Sequence, residues 1–115
     1  MADISQAIRP TGPTVALSVV ATSHAAVALN VTQSDTTNFV ALLNAGAVAV
    51  AVKISQNGVA ATLPVDGTPG DYILPPNTGL PVLIPCAAGP TGPAQITAIG
   101  ATAGPTIIYA TPCTV

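Results

Sequence analysis

The sequence predicts an all-β chain: a single-domain β-sandwich of about eight short strands, jelly-roll-like, with an extended N-terminal arm. Three observations point there. Apolar residues recur with period 2, the spacing of a half-buried strand, rather than 3.6. The alternating stretches are rich in Val, Ile and Thr, whose branched side chains suit a pleated surface. Finally, 12 Pro and 10 Gly in 115 residues punctuate the chain about every ten positions, as turns do between short strands.

Residues 1–13 read as the arm. Asp3 to Ile8 leaves room for one helical turn, and Pro10 and Pro13 stop anything longer. The sandwich domain spans 14–115. Val15-Ala16-Leu17-Ser18-Val19 alternates large and small as a first strand. After a polar break at Ala21-Thr22-Ser23-His24, Val27, Leu29 and Val31 share one face of a second, and 33–37 is a loop. Asn38-Phe39-Val40-Ala41-Leu42-Leu43 is the third, ending at Asn44-Ala45-Gly46, read as a hairpin connection with Gly46 free to take positive φ.

Ala47-Val48-Ala49-Val50-Ala51-Val52-Lys53-Ile54 carries the clearest alternation, with Val, Val, Val, Ile on one side and Ala, Ala, Ala, Lys on the other. Asn57-Gly58 is a turn dipeptide, residues 59–63 a short strand, and 64–71 a loop of Gly, Pro and Asp. Tyr72-Ile73-Leu74 precedes the rigid Pro75-Pro76-Asn77. Pro81-Val82-Leu83-Ile84-Pro85 is a strand that its prolines confine to a short or edge position. Residues 87–93 form a loop. Gln95-Ile96-Thr97-Ala98-Ile99 and Thr106-Ile107-Ile108-Tyr109-Ala110-Thr111 are the last two strands, the latter stopped by Pro112. The words Pro10-Thr11-Gly12-Pro13 and Pro90-Thr91-Gly92-Pro93 match, but no fixed period links them, so the chain is not a repeat array.

Charge is nearly absent. Asp, Glu, Lys and Arg make up 5% of the chain, against about 25% in ordinary soluble domains. The four acids are Asp3, Asp35, Asp66 and Asp71; the two bases are Arg9 and Lys53. Two bases do not make the footprint of a nucleic-acid binder or of a protein that sits on acidic membranes. The longest charge-free apolar stretch, 45–52, is far short of the ~20 residues that span a bilayer. No stretch at the start has the basic, then apolar, character of a targeting peptide, so the expected site of synthesis and assembly is a cytoplasm. There Cys86 and Cys113 are expected as free thiols, a disulfide being the less favoured state.

No catalytic, metal or cofactor site is expected. His24 is the one histidine, and its neighbour Ser23 points to the opposite side of an extended chain. His24 with Cys86 or Cys113 would need long-range geometry that no motif supports, and a polar loop residue is the plainer reading. Asp66 and Asp71 share a Gly-rich loop but supply too few oxygens for calcium; turn chemistry explains them. One histidine and two distant cysteines do not make a zinc site. Gly89-Pro90-Thr91-Gly92-Pro93 lacks the lysine of a phosphate loop. Asn30-Val31-Thr32 matches a glycosylation acceptor by chance. Glycan binding needs exposed rings, and Tyr72, beside a loop, is the one ring placed for that; core packing or a rim hydrogen bond is the plainer reading of it.

Taken together, the stretches 38–46 and 48–54, the Ile73-Leu74-Pro75-Pro76 step, and Ile96-Thr97-Ala98-Ile99 running into 107–112 resemble the small β-rich capsid decoration (cement) proteins of tailed bacteriophages. The resemblance covers roughly 38–112 and lies in pattern and composition; it brings no motif residues with it. It implies a jelly roll or similar sandwich that binds the outside of an icosahedral shell as a dimer or trimer, over junctions of the major capsid protein, and resists the pressure of packaged DNA. The location it implies is the capsid surface of the virion. Two contact surfaces are expected: the arm, through Ile4, Ile8 and Arg9, and the small-residue row Ala47, Ala49 and Ala51. The alternatives are another virion part, such as a head fibre, tail or adaptor subunit, or a sandwich that binds glycans or a host surface.

Overall fold

Alternating aliphatic residues close into two antiparallel sheets with a dry interior between them. The computed structural model describes residues 8–31, 39–55, 57–85 and 94–114; Ile4, Cys86, the 33–37 loop and the second Pro-Thr-Gly-Pro lie outside them. The strands among these residues are β1 (Arg9–Pro10), β2 (Val15–Val19), β3 (Val27–Ala28), β4 (Phe39–Asn44), β5 (Val50–Ser55), β6 (Tyr72–Leu74), β7 (Val82–Pro85), β8 (Gln95–Gly100) and β9 (Thr106–Thr114). In the first sheet β1 and β2 share one edge of β9, and β4 and β7 follow; the second runs β3-β8-β5-β6.

The pairings β2–β9, β3–β8, β4–β7 and β5–β6 are all antiparallel. They nest one inside the next, as in a long hairpin folded over on itself. That nesting is the jelly-roll course, and the all-β sandwich expected from the sequence is the fold observed. Leu17, Val19, Val40, Leu42 and Ile108 from the first sheet meet Val50, Val52, Leu74, Ile96 and Ala98 from the second. Each fully buried Leu, Ile or Val contributes about 1.5–3 kcal/mol of transfer free energy. The Val row of β5 thus faces the core, as its alternation predicts.

Several local expectations give way. The β5 strand starts at Val50 rather than Ala47, because the chain is still bending between the sheets. Asn44-Ala45-Gly46 is not a hairpin: β4 and β5 belong to different sheets, and Gly46 is not among the positive-φ glycines. Gly46 is needed for space instead, since a Cβ there would overlap the Thr106 side chain and lie 2.9 Å from its Cα. By contrast Gly58 does take φ +66°, as Asn-Gly predicts.

The second strand is shorter than expected, with Leu29 held beyond β3 by its N–H to Ala94 O at 2.9 Å and Val31 exposed. Pro112 does not stop β9, which continues to Thr114. Pro112 O accepts from Thr11 N–H at 2.8 Å. Its missing N–H therefore faces the β1–β2 edge, where the chain turns between the two short strands, and costs no bond to β4.

Residues 59–63 form no strand; they lie over the outer face of the second sheet. Thr97 Oγ1 donates to Val59 O at 2.8 Å, and Asp71 N–H donates to Thr62 O at 2.9 Å. The Asp71 carboxylate accepts from Thr62 N–H at 2.7 Å and meets Lys53 Nζ at 3.3 Å. Partial burial pushes the Asp71 carboxyl up, but the Thr62 N–H and Lys53 outweigh it and hold the group below its usual range. A carboxyl lowered by folding stabilises the chain above its unfolded value of about 3.9 and loses that contribution as pH falls through the folded value. Asp71→Asn is therefore expected to lower Tm at pH 7, with the gap to wild type closing as pH falls below the unfolded value; thermal melts across pH check this.

Candidate functional site

The two outer faces of the sandwich differ. On the second sheet, Ala51 is fully buried and Thr97 nearly so, although alternation turns both away from the core; the 59–63 segment covers part of this side, while Ile73, opposite Ala51 on the same face, stays 38% exposed. Among the described residues the first sheet has no such cover. The register sets Tyr109 opposite Leu43, and Thr111 opposite Ala41, with all four on its outer face. They floor a groove of about 530 Å³ whose sides include Ile8, Pro10, Pro13 and Pro81.

None of the residues lining the groove is charged. Its polar groups are the Tyr109 hydroxyl and the Thr14 and Thr111 hydroxyls, which bond each other at 2.6 Å. A groove of this make-up desolvates cheaply and offers an ionic ligand no counter-charge. It suits an apolar or uncharged surface pressed against it.

The residues expected to bind partners fall in different places. Ile8 is half-buried and lines the groove. Arg9 pairs with Thr114 in β1, so this part of the expected arm lies on its own chain. Ala47 is exposed in the bend before β5, Ala49 half-buried and Ala51 enclosed; the three do not form one open row. Among the rings, Tyr72 is 50% exposed, against the plainer reading of it as packed, and Tyr109 is also open, at 39%. Tyr109, not Tyr72, is the ring in the groove, and the pattern of the last strand does not single it out.

The groups weighed for chemistry are engaged elsewhere. His24 Nδ1 carries its proton toward Ala25 O at 2.7 Å. Its N–H bonds Ala98 O of the second sheet, while Cys113 is buried in the first. Burial pushes the Cys113 thiol up, partly offset by a hydrogen bond with the Ala41 backbone, and a buried protonated thiol is a poor nucleophile. Asp71 is occupied by Thr62 and Lys53. Among the described residues no group of three or more His, Cys, Asp or Glu is placed to hold a metal ion, and no helix is long and apolar enough to cross a membrane. No protein-family model, curated protein or solved structure matches the chain.

Proposed function

We propose that this chain is a non-enzymatic structural protein of a virus particle, which binds the outer surface of an icosahedral capsid and stabilises it. Its partner in this reading is the major capsid protein, and its place is the capsid surface after assembly in the host cytoplasm. The observation that carries the reading is the difference between the two outer faces among the described residues: one partly covered by its own loop, the other carrying an uncharged apolar groove. Fold alone assigns no function, but this face adds a contact surface of the kind a lattice-bound subunit uses. Modest contacts repeated over a shell become effective through multivalency. The low charge fits a protein that is covered by neighbours rather than kept soluble by its own surface.

Tyr109 in the groove favours one second reading, a module that binds glycans or a host surface by ring stacking. One experiment separates the two. The purified chain is run by size-exclusion chromatography with light scattering, alone and with empty capsids built from the capsid protein of the same genome. Co-migration at a fixed copy number per particle is the expected result. A chain that ignores capsids and binds sugar instead sinks the capsid reading.

A further inference from the structure

Of the open sheet edges among the described residues, β2 stands apart. In an antiparallel ladder the N–H and C=O of one residue point to the same side, and successive residues alternate. Thr11 N–H donates to Pro112 O, and Ala45 N–H to Ile107 O. Even-numbered residues of β9 therefore face β1 and β2, and odd-numbered ones face β4. Carried through the register to β7, this alternation turns Leu83 outward, between Pro81 and Pro85, which have no N–H to offer. On β1 the outward residue is Pro10.

In the second sheet, His24 N–H donates to Ala98 O and Ala101 N–H to Ala49 O. The same reasoning turns Ile73 outward on β6, between Pro75 and Asp71, whose N–H is already bonded to Thr62. The remaining edge strand there, β3, is only two residues long. Prolines and short strands are how sheet edges are kept from pairing with other chains.

The β2 edge has neither protection. Its outward residues are Ala16 and Ser18, both exposed. No proline or charge occurs from 14 to 20, and neither outward amide has a backbone partner among the described residues. We propose that β2 is a dimerisation edge whose occupant is β2 of a second copy, antiparallel across a twofold axis at Leu17. That register sets Ala16 opposite Ser18 of the second copy, and Ser18 opposite its Ala16. It uses both outward donors and both outward acceptors of each chain, in four new hydrogen bonds. The twofold also keeps Val15, Leu17 and Val19 of both copies on the core side, with the small Ala16 and Ser18 outside. A charged edge facing its own copy would repel it; this one has no charge to do so. The inference rests on the sheet edge and not on the capsid reading.

Ser18→Pro tests it, because the Ser18 N–H has no backbone partner among the described residues and proline is tolerated on the open side of an edge strand. Ser18→Lys adds a like-charge clash near the axis. Ile73→Lys puts the same charge on the outward position of β6. Light scattering over a dilution series, with far-UV circular dichroism to confirm folding, is expected to give a dimer for wild type and Ile73→Lys. Half that mass is expected for both Ser18 variants. Wild type that stays monomeric throughout, or a folded Ser18→Pro that keeps its oligomeric mass, overturns the proposal. If Ser18→Pro fails to fold, hydrogen exchange on wild type decides: protection of the Ala16 and Ser18 amides that grows with concentration supports the dimer, and fast exchange at every concentration overturns it.

Discussion

Gly46→Ala is expected to destabilise the chain by about 3 kcal/mol, the upper range for forcing volume into a packed site. That corresponds to roughly 10 °C or more in Tm for a domain of this size. The added methyl meets the backbone of Thr106 as well as its side chain, so no rotamer change clears it. It also disturbs a buried polar knot that ties β4 and β9 to the bend leading into β5. Asn44 is fully buried; its Nδ2 donates to Val48 O at 2.8 Å, and its Oδ1 accepts from Gly46 N–H at 3.0 Å and Thr106 Oγ1 at 2.8 Å. Thr78 Oγ1 accepts from Asn44 N–H at 2.8 Å. Asn44→Ala strands three of these partners in a largely buried site and is expected to cost a similar amount, since each unpaired buried group costs about 1–3 kcal/mol. Thr106→Ala should rescue Gly46→Ala only in part, because the clash with the Thr106 backbone remains. Denaturant melts of the singles and the double mutant check both points.

Leu43→Lys is expected to weaken capsid attachment roughly thirtyfold or more while leaving the fold intact. Leu43 is half-buried on the outer face of β4 beside Tyr109, so the long lysine stem covers the same floor and its ammonium reaches water. When a partner closes over the groove, that charge is left without a counter-ion. Loss of an interface hot spot of about 2 kcal/mol corresponds to roughly a thirtyfold fall in affinity, and a buried unpaired charge costs at least as much. Binding isotherms on empty capsids measure it. The matching control, Ile73→Lys on the opposite sheet, is expected to bind as wild type does.

The strands were legible where alternation is clean and both ends carry turn residues. β2, β4, β6, β7 and β8 sit where period 2 and the prolines set them, and the Val row of β5 faces the core. What the sequence hid depends on contacts between distant segments. The groove needs residues 8–14 laid beside 41–43 and 109–111, and no local pattern encodes that. Tyr109 was missed because β9 has Ile on both faces, at 107 and 108, so alternation alone does not say which side is the core. Ala51 looked like part of an open row because nothing local tells that 59–63 folds back over it. Gly46 was singled out correctly but for the wrong reason: the constraint is the space beside Thr106, not a left-handed backbone. Pro112 was read as a stop because a local rule does not show that its absent N–H faces a gap between β1 and β2.

The two tyrosines give the most direct test of the central claim that the open face of the first sheet is the contact surface. Tyr109 lies in the groove, and Tyr72 is on the opposite sheet, 50% exposed. Radical or iodine labelling of both rings, read by mass spectrometry on the free chain and on chain bound to empty capsids, compares the two sheets in one sample. The account predicts that capsid binding strongly suppresses labelling of Tyr109 and leaves Tyr72 unchanged. Equal labelling of Tyr109 in both states, or protection of Tyr72 instead, would contradict it.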